Sequence, residues 1–162
     1  VGVMKGVLLT HCPDARIIDL THDIPVHGPV EAGFWLARAH AWFPPGTVHV
    51  AVVDPGVGTN RGIIAAEHAG QVFLAPDNGL LAPVLGTRPA ACFELSARFR
   101  EQHGWTRPSA TFHGRDLFAP LAAGIAAGRI APADIGPPVA EIVPSLLEDP
   151  AVGDTEVRGV VV

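Results

Sequence analysis

Clustered positive charge is missing from this chain. Its 162 residues hold 11 Lys and Arg against 16 Asp and Glu, a formal net charge of −5. Lys5 is the only lysine, and the arginines are scattered. That distribution argues against a nucleic-acid partner, which needs a basic face for phosphate. Cysteine is scarce too. Cys12 and Cys92 form neither a metal-like spacing nor a disulfide framework, and read as reduced thiols of a cytoplasmic protein. No apolar run approaches the roughly 20 residues of a membrane helix, and no signal peptide is visible, so no membrane partner is expected. Charged residues make up only 17%. That is little for a domain wetted on every face, and points to cover by an oligomer or a larger protein.

What is present is apolar and regularly punctuated. Hydrophobic residues make up 48% of the chain and mean hydropathy is +0.32, which excludes disorder. Residues 1–9 read as a short helix, and Ala15-Arg16-Ile17-Ile18-Asp19-Leu20 as a buried strand followed by a polar turn. Residues 30–43 carry a helical pattern that stops at Pro44-Pro45-Gly46. Within it Trp35 and Trp42 fall on one face and read as ordinary packing. Residues 47–53 form the clearest strand, apolar enough for a parallel sheet covered on both faces. Residues 62–66 and 71–75 read as strands around a His68-Ala69-Gly70 turn. A short helix over 79–85 would be capped by Asp77 or Asn78. Residues 92–95 suggest a further strand, 98–108 read as irregular, and 112–128 as an Ala-rich helix with Asp116 in its first turn.

The expected fold is therefore α/β, a mostly parallel sheet flanked by helices. Residues 1–138 make its N-terminal α/β domain, although the Pro-rich stretch 131–138 itself reads as linker. Residues 139–154 are the linker proper, and 155–162 the first strand of a second, β-rich domain. The chain opens inside Val1-Gly2-Val3-Met4 and closes inside Arg158-Gly159-Val160-Val161-Val162, so it is expected to be a fragment cut at both ends.

The chemistry concentrates in Val53-Asp54-Pro55-Gly56-Val57-Gly58-Thr59-Asn60-Arg61. An acid at the carboxyl end of a buried strand suits a ligand site better than a core. The glycine-rich turn after it lets backbone approach a ligand. It is neither a Walker A loop, lacking the Lys-Ser/Thr ending, nor a dinucleotide loop. The plain alternative is a tight turn in which Asp54 caps amides and Arg61 is solvated. A second polar cluster, Phe112-His113-Gly114-Arg115-Asp116, opens the Ala-rich helix. His113 is there either an ordinary capping histidine or a partner of Asp54 and Arg61. Asp19-Leu20-Thr21-His22-Asp23, with His11 and His27 nearby, offers ligands for zinc or iron. Adjacent His22 and Asp23 point to opposite sides of an extended chain, so a hydrogen-bonded turn is expected and no metal is assigned. Ser96, Ser109 and Ser145 stand in no nucleophile-elbow context.

Taken in order, Val1-Gly2-Val3-Met4-Lys5-Gly6-Val7, Ile18-Asp19-Leu20-Thr21-His22-Asp23-Ile24-Pro25, Phe43-Pro44-Pro45-Gly46-Thr47, the Val53-to-Arg61 turn, Ala75-Pro76-Asp77-Asn78-Gly79-Leu80 and the run 111–120 resemble one family. It is that of the S-adenosyl-L-methionine hydroxide adenosyltransferases, relatives of the fluorinases and chlorinases. The resemblance implies a larger N-terminal α/β domain, a smaller β-rich C-terminal domain and a homotrimer, with substrate held between neighbouring subunits. It implies attack of water or hydroxide on the 5′ carbon of S-adenosylmethionine, giving adenosine and L-methionine without cofactor or metal. The family's polar trio falls on Asp54, Arg61 and His113. Asn78, Phe112 and Gly114 are implied substrate contacts. A halogenating relative and a non-catalytic nucleoside-binding or trimer-forming module are the alternatives. The family's ribose-binding Asp and adenine-binding domain lie outside the chain, and Gly28-Pro29 depart from the more polar residues usual there.

Overall fold

Alternation within two strands divides the interior in two. In the computed structural model, which describes residues 1–25, 27–89, 91–146 and 151–159, strand β2 (Ile63–His68) and strand β3 (Gln71–Pro76) form an antiparallel hairpin. The turn places Ala69 at φ +51° and Gly70 at φ +74°, the left-handed pair that two-residue hairpins require. Successive side chains point to opposite sheet faces. Ile64, Ala66, Phe73 and Ala75 enter one core, and Ile63, Ala65 and Leu74 enter the other. Because both faces are covered, these strands are apolar at nearly every position.

The sheet has four strands in the order β1-β3-β2-β4, with β1 at Val48–Val50 and β4 at Ala91–Glu94. Among the described residues only β1 and β3 run parallel, whereas β2 is antiparallel to both β3 and β4. The sheet is therefore mixed rather than mostly parallel. The tight hairpin is the reason, since two-residue turns join only antiparallel strands. On one face lie helix α2 (Pro29–Ala39) and the short α3 (Ala82–Leu85), where Leu36, Leu80 and Leu81 join Phe73. On the other lie α1 (Gly2–His11), α4 (Ala97–Gln102) and α5 (Ala119–Ala126), with Phe99, Leu117, Phe118 and Leu121 at the centre.

Several local expectations change. Residues 15–20 are not a buried strand: they have no sheet partner among the described residues, and Ile18 and Leu20 are 60% and 47% exposed. Trp35 and Trp42 are not buried packing residues: they are 45% and 87% exposed, and Trp42 lies beyond the end of α2. The start of the expected irregular run 98–108 is helical instead, in the six-residue α4, because Ser96 Oγ accepts the Phe99 N–H at 3.1 Å and Phe99 is buried. Neither Asp77 nor Asn78 caps α3, whose N-cap is Leu81. The run 131–138 is not linker. Ile135 is fully buried, and the backbones of Glu94 and Ser96 bond to Pro137 and Ile135, extending the sheet beyond β4. Downstream, β5 (Ala151–Val152) pairs with β6 (Val157–Arg158) in a small exposed hairpin, and residues 160–162 of the expected strand lie outside the described residues. The Ala-rich helix is present, but its first turn, Gly114–Phe118, is a wide π-helical one.

Candidate active site

β1 delivers Asp54 to the end of the sheet. Its ladder continues past Val50, with the Ala51 N–H donating to Leu74 O at 2.9 Å. The chain then folds back over 54–61. The Val57 and Thr59 amides donate to the carbonyls of Asp54 and Gly56 at 3.3 and 3.1 Å, and Thr59 Oγ1 donates to Gly56 O at 2.7 Å. Gly58 sits at φ +82°, where a β-carbon would fall 2.6 Å from Ala110 O. That backbone-on-backbone contact brings the first loop against the chain leading into His113.

The three expected catalytic residues meet. Arg61 Nε donates to both Asp54 oxygens, at 2.9 and 2.8 Å, and Arg61 Nη2 donates to Oδ2 as well. The two side chains are 11% and 5% exposed, so this is a buried, forked ion pair rather than a solvated one. Arg61 Nη2 also lies 3.3 Å from His113 Nδ1, and Arg61 Nη1 donates to Gly62 O at 3.3 Å. The guanidinium rests over the fully buried Phe118 ring, 5.8 Å from its centroid. Burial, and next the Arg61 charge, hold the His113 imidazole below its ordinary pKa, against an opposing pull from Asp54. The ring is thus neutral at pH 7. A guanidinium can only donate, so Nδ1 is the acceptor and the ring proton sits on Nε2.

The remaining expected residues are placed differently. Gly114 adjoins His113, but its lack of a side chain serves α1: a β-carbon there would fall 2.8 Å from Met4 Sδ. Phe112 is 58% exposed beside the Arg115 guanidinium, 5.2 Å from its ring centroid. Asn78 Nδ2 donates to Val53 O at 2.9 Å, so this amide grips the backbone next to Asp54. His22 bonds Asp19 at 2.9 Å, and the Asp23 amide donates to Thr21 Oγ1 at 3.1 Å, forming the expected turn. Among the described residues no three His, Cys, Asp or Glu side chains converge as a metal-ligand set.

A polar cavity of about 240 Å³ borders Arg61 and His113, and Asn60, Glu94 and Arg100 also line it. Arg100 Nε is buried there without a hydrogen-bond partner among the described residues. Glu94 and Arg100 were missed from sequence, because neither spacing nor context marks them. A larger depression of about 410 Å³, lined by Leu20, Thr21, Trp35, Arg38 and Ala39, contains none of the trio. Arg61 and His113 border the smaller one.

Residues 1–136 match the model of the SAM hydroxide adenosyltransferase N-terminal domain. This chain belongs to that family. The (R)-S-adenosyl-L-methionine hydrolase of Salinispora arenicola is 47% identical over 145 residues, covering 86% of this chain and 52% of that protein. The fluorinase of Nocardia brasiliensis is more distant, 29% identical over 154 residues, covering 79% of this chain and 50% of that protein. Among solved structures, an uncharacterised conserved protein from Thermotoga maritima superposes with a TM-score of 0.85 at 38% identity, over 96% of this chain and 59% of that one. The chain spans about half the length of the curated relatives it matches.

Proposed function

We propose that the protein hydrolyses S-adenosyl-L-methionine to adenosine and L-methionine, with water attacking the ribose 5′ carbon. The observation that carries this reading is the Arg61 guanidinium joining Asp54 to His113 at a polar cavity, in a chain 47% identical to a named S-adenosylmethionine hydrolase. Attack at a carbon bearing a sulfonium needs in-line geometry, which positioning supplies. His113 offers its Nε2–H to the water oxygen. Arg61 stabilises the negative charge that develops as the water turns to hydroxide. Asp54 fixes Arg61 and keeps the cluster from being cationic overall. The sulfonium departs as a neutral thioether and needs no general acid, and one proton leaves to solvent. No cofactor or metal takes part.

Phe112 and Gly114 would face substrate, with ligand covering the exposed Phe112 ring. The 240 Å³ cavity is smaller than the roughly 300–1,000 Å³ of a typical ligand pocket. It therefore holds the nucleophile and the reacting centre, and other walls hold the nucleoside. These walls come from a second domain that begins at the β5–β6 hairpin, on a neighbouring subunit of a homotrimer. The free thiols of Cys12 and Cys92 suit a reducing, cytoplasmic setting.

The test is incubation with S-adenosylmethionine in oxygen-18 water, with and without chloride, followed by mass measurement of the nucleoside. Adenosine carrying one heavy oxygen, lost in His113→Ala, is expected. A 5′-halo nucleoside would move the protein to the halogenases, and intact substrate would leave a binding module.

A further inference from the structure

We propose that Asn78 is a positioning residue for the Asp54–Arg61 pair and not a substrate contact, a role that rests on the hydrolytic reading above. The loop carrying the pair has two ends, Val53 before Asp54 and Gly62 after Arg61, and one turn holds both. Asn78 Nδ2 donates to Val53 O at 2.9 Å, and the adjacent Asp77 backbone N–H donates to Gly62 O at 2.9 Å. Gly62 O also accepts Arg61 Nη1 at 3.3 Å, so the same carbonyl receives the turn and the guanidinium. The two ends of the loop are clamped by neighbouring residues of a single segment.

The orientation of the amide is fixed by its partners. Asn78 Oδ1 accepts the Leu80 N–H at 3.3 Å while Nδ2 faces the Val53 carbonyl. Exchanging the two atoms would set oxygen against oxygen and N–H against N–H. Both heavy atoms of the amide are therefore engaged with protein. The turn is anchored from its other side as well. Asp77 Oδ1 accepts the Val143 N–H at 2.9 Å. Gly79, at φ +89°, leaves room for Pro144 O, which would lie 2.5 Å from a β-carbon there. A clamp held rigidly from behind can hold Asp54 and Arg61 to the few tenths of an ångström that in-line attack demands.

Asn78→Asp tests this with almost no change in volume. It keeps the acceptor for Leu80 and turns a carboxylate oxygen toward the Val53 carbonyl, opening the clamp. Asn78→Ala removes the donor without repulsion and serves if the first variant does not fold. In the intact protein, kcat is expected to fall about tenfold to a hundredfold while KM changes less than about threefold. In Asn78→Ala, which adds no charge, the NMR titration midpoint of the His113 ring should rise, because the guanidinium that, after burial, holds it down moves away. A raised KM with unchanged kcat would make Asn78 a substrate contact and overturn the proposal. Unchanged kcat and unchanged His113 midpoint in a folded variant would reduce it to a fold residue and also overturn it. Should the wild type leave S-adenosylmethionine intact, the hydrolytic reading fails, and the His113 midpoint alone still decides whether Asn78 positions the cluster.

Discussion

Removing Asp54 should damage the fold as well as the chemistry, by an amount that burial sets. Its carboxylate is 5% exposed and its partner guanidinium 11%. In Asp54→Ala, the Arg61 guanidinium keeps, among the described residues, only Gly62 O and His113 Nδ1 as hydrogen-bond partners, both at 3.3 Å and neither an anion. Truncating one member of a buried pair costs about 3–5 kcal/mol, because a charge is left in low dielectric. The polar cavity of about 240 Å³ beside Arg61 lets water reach that charge, which favours the lower end, about 3 kcal/mol. For a domain of this size each kcal/mol moves Tm by about 2–4 °C, so a fall of about 6–12 °C is expected. Arg61→Met in the same chain should restore part of it, since no unpaired charge then remains. Urea unfolding of wild type, both single variants and the double variant closes the cycle, with an expected coupling of about 2 kcal/mol or more. A Tm change under about 2 °C, or strict additivity, would mean that the pair behaves as a solvated surface bridge worth at most about 1 kcal/mol.

Three further expectations follow from other contacts. His113 has its folded pKa depressed, so its contribution to stability is present above the ordinary histidine value near 6.5 and is lost as pH falls through the lower folded value; NMR titration should place the midpoint below 6.5, and Arg61→Met should raise it. Gly58→Ala forces a side chain into φ +82° and against Ala110 O, and should lower stability by about 1–3 kcal/mol and separate the two loops, read as lost turnover exceeding the loss of fold in a denaturation and rate comparison. Cys92 is buried, with its thiol pushed up to about 11 by burial, so a thiol reagent on the native protein should label Cys12 quickly and Cys92 only on unfolding; fast labelling of both would contradict the packing.

What could be read from sequence is what local chemistry enforces. The hairpin over 63–76 announced itself through two apolar runs and a His-Ala-Gly turn, and α2 through its period and its Pro-Pro-Gly stop. Asp54 was legible because an acid ending an apolar strand conflicts with packing, and its meeting with Arg61 and His113 follows the resemblance. Long-range partners were not legible. Residues 15–20 have a strand's composition, yet strand formation requires a neighbour offering free backbone groups, which composition does not report. The apolar run 47–53 read as a strand of a mostly parallel sheet; β1 does pair in parallel with β3, but the sheet around them is mixed. Residues 131–138 looked like linker because of their Pro and Gly content, whereas buried Pro132 and Ile135 and the backbone bonds from Glu94 and Ser96 hold them on the domain. Arg100 and Glu94 reach the cavity from α4 and β4 through tertiary folding that leaves no trace in spacing.

The π-helical turn at Gly114–Phe118 also fixes the phase in which His113 meets Arg61. Such a turn holds one residue more than a regular α-helical turn. Tightening it to regular α geometry with the same residues would rotate everything on its N-terminal side by about 100° around the helix axis. His113, the residue just before the wide turn, would swing away from Arg61 while the buried face of α5 stayed seated. The width of the turn takes up the extra residue, so deleting the exposed Arg115 should leave a regular helix with His113 still in phase, whereas deleting Leu117 or Phe118 takes a side chain out of the core.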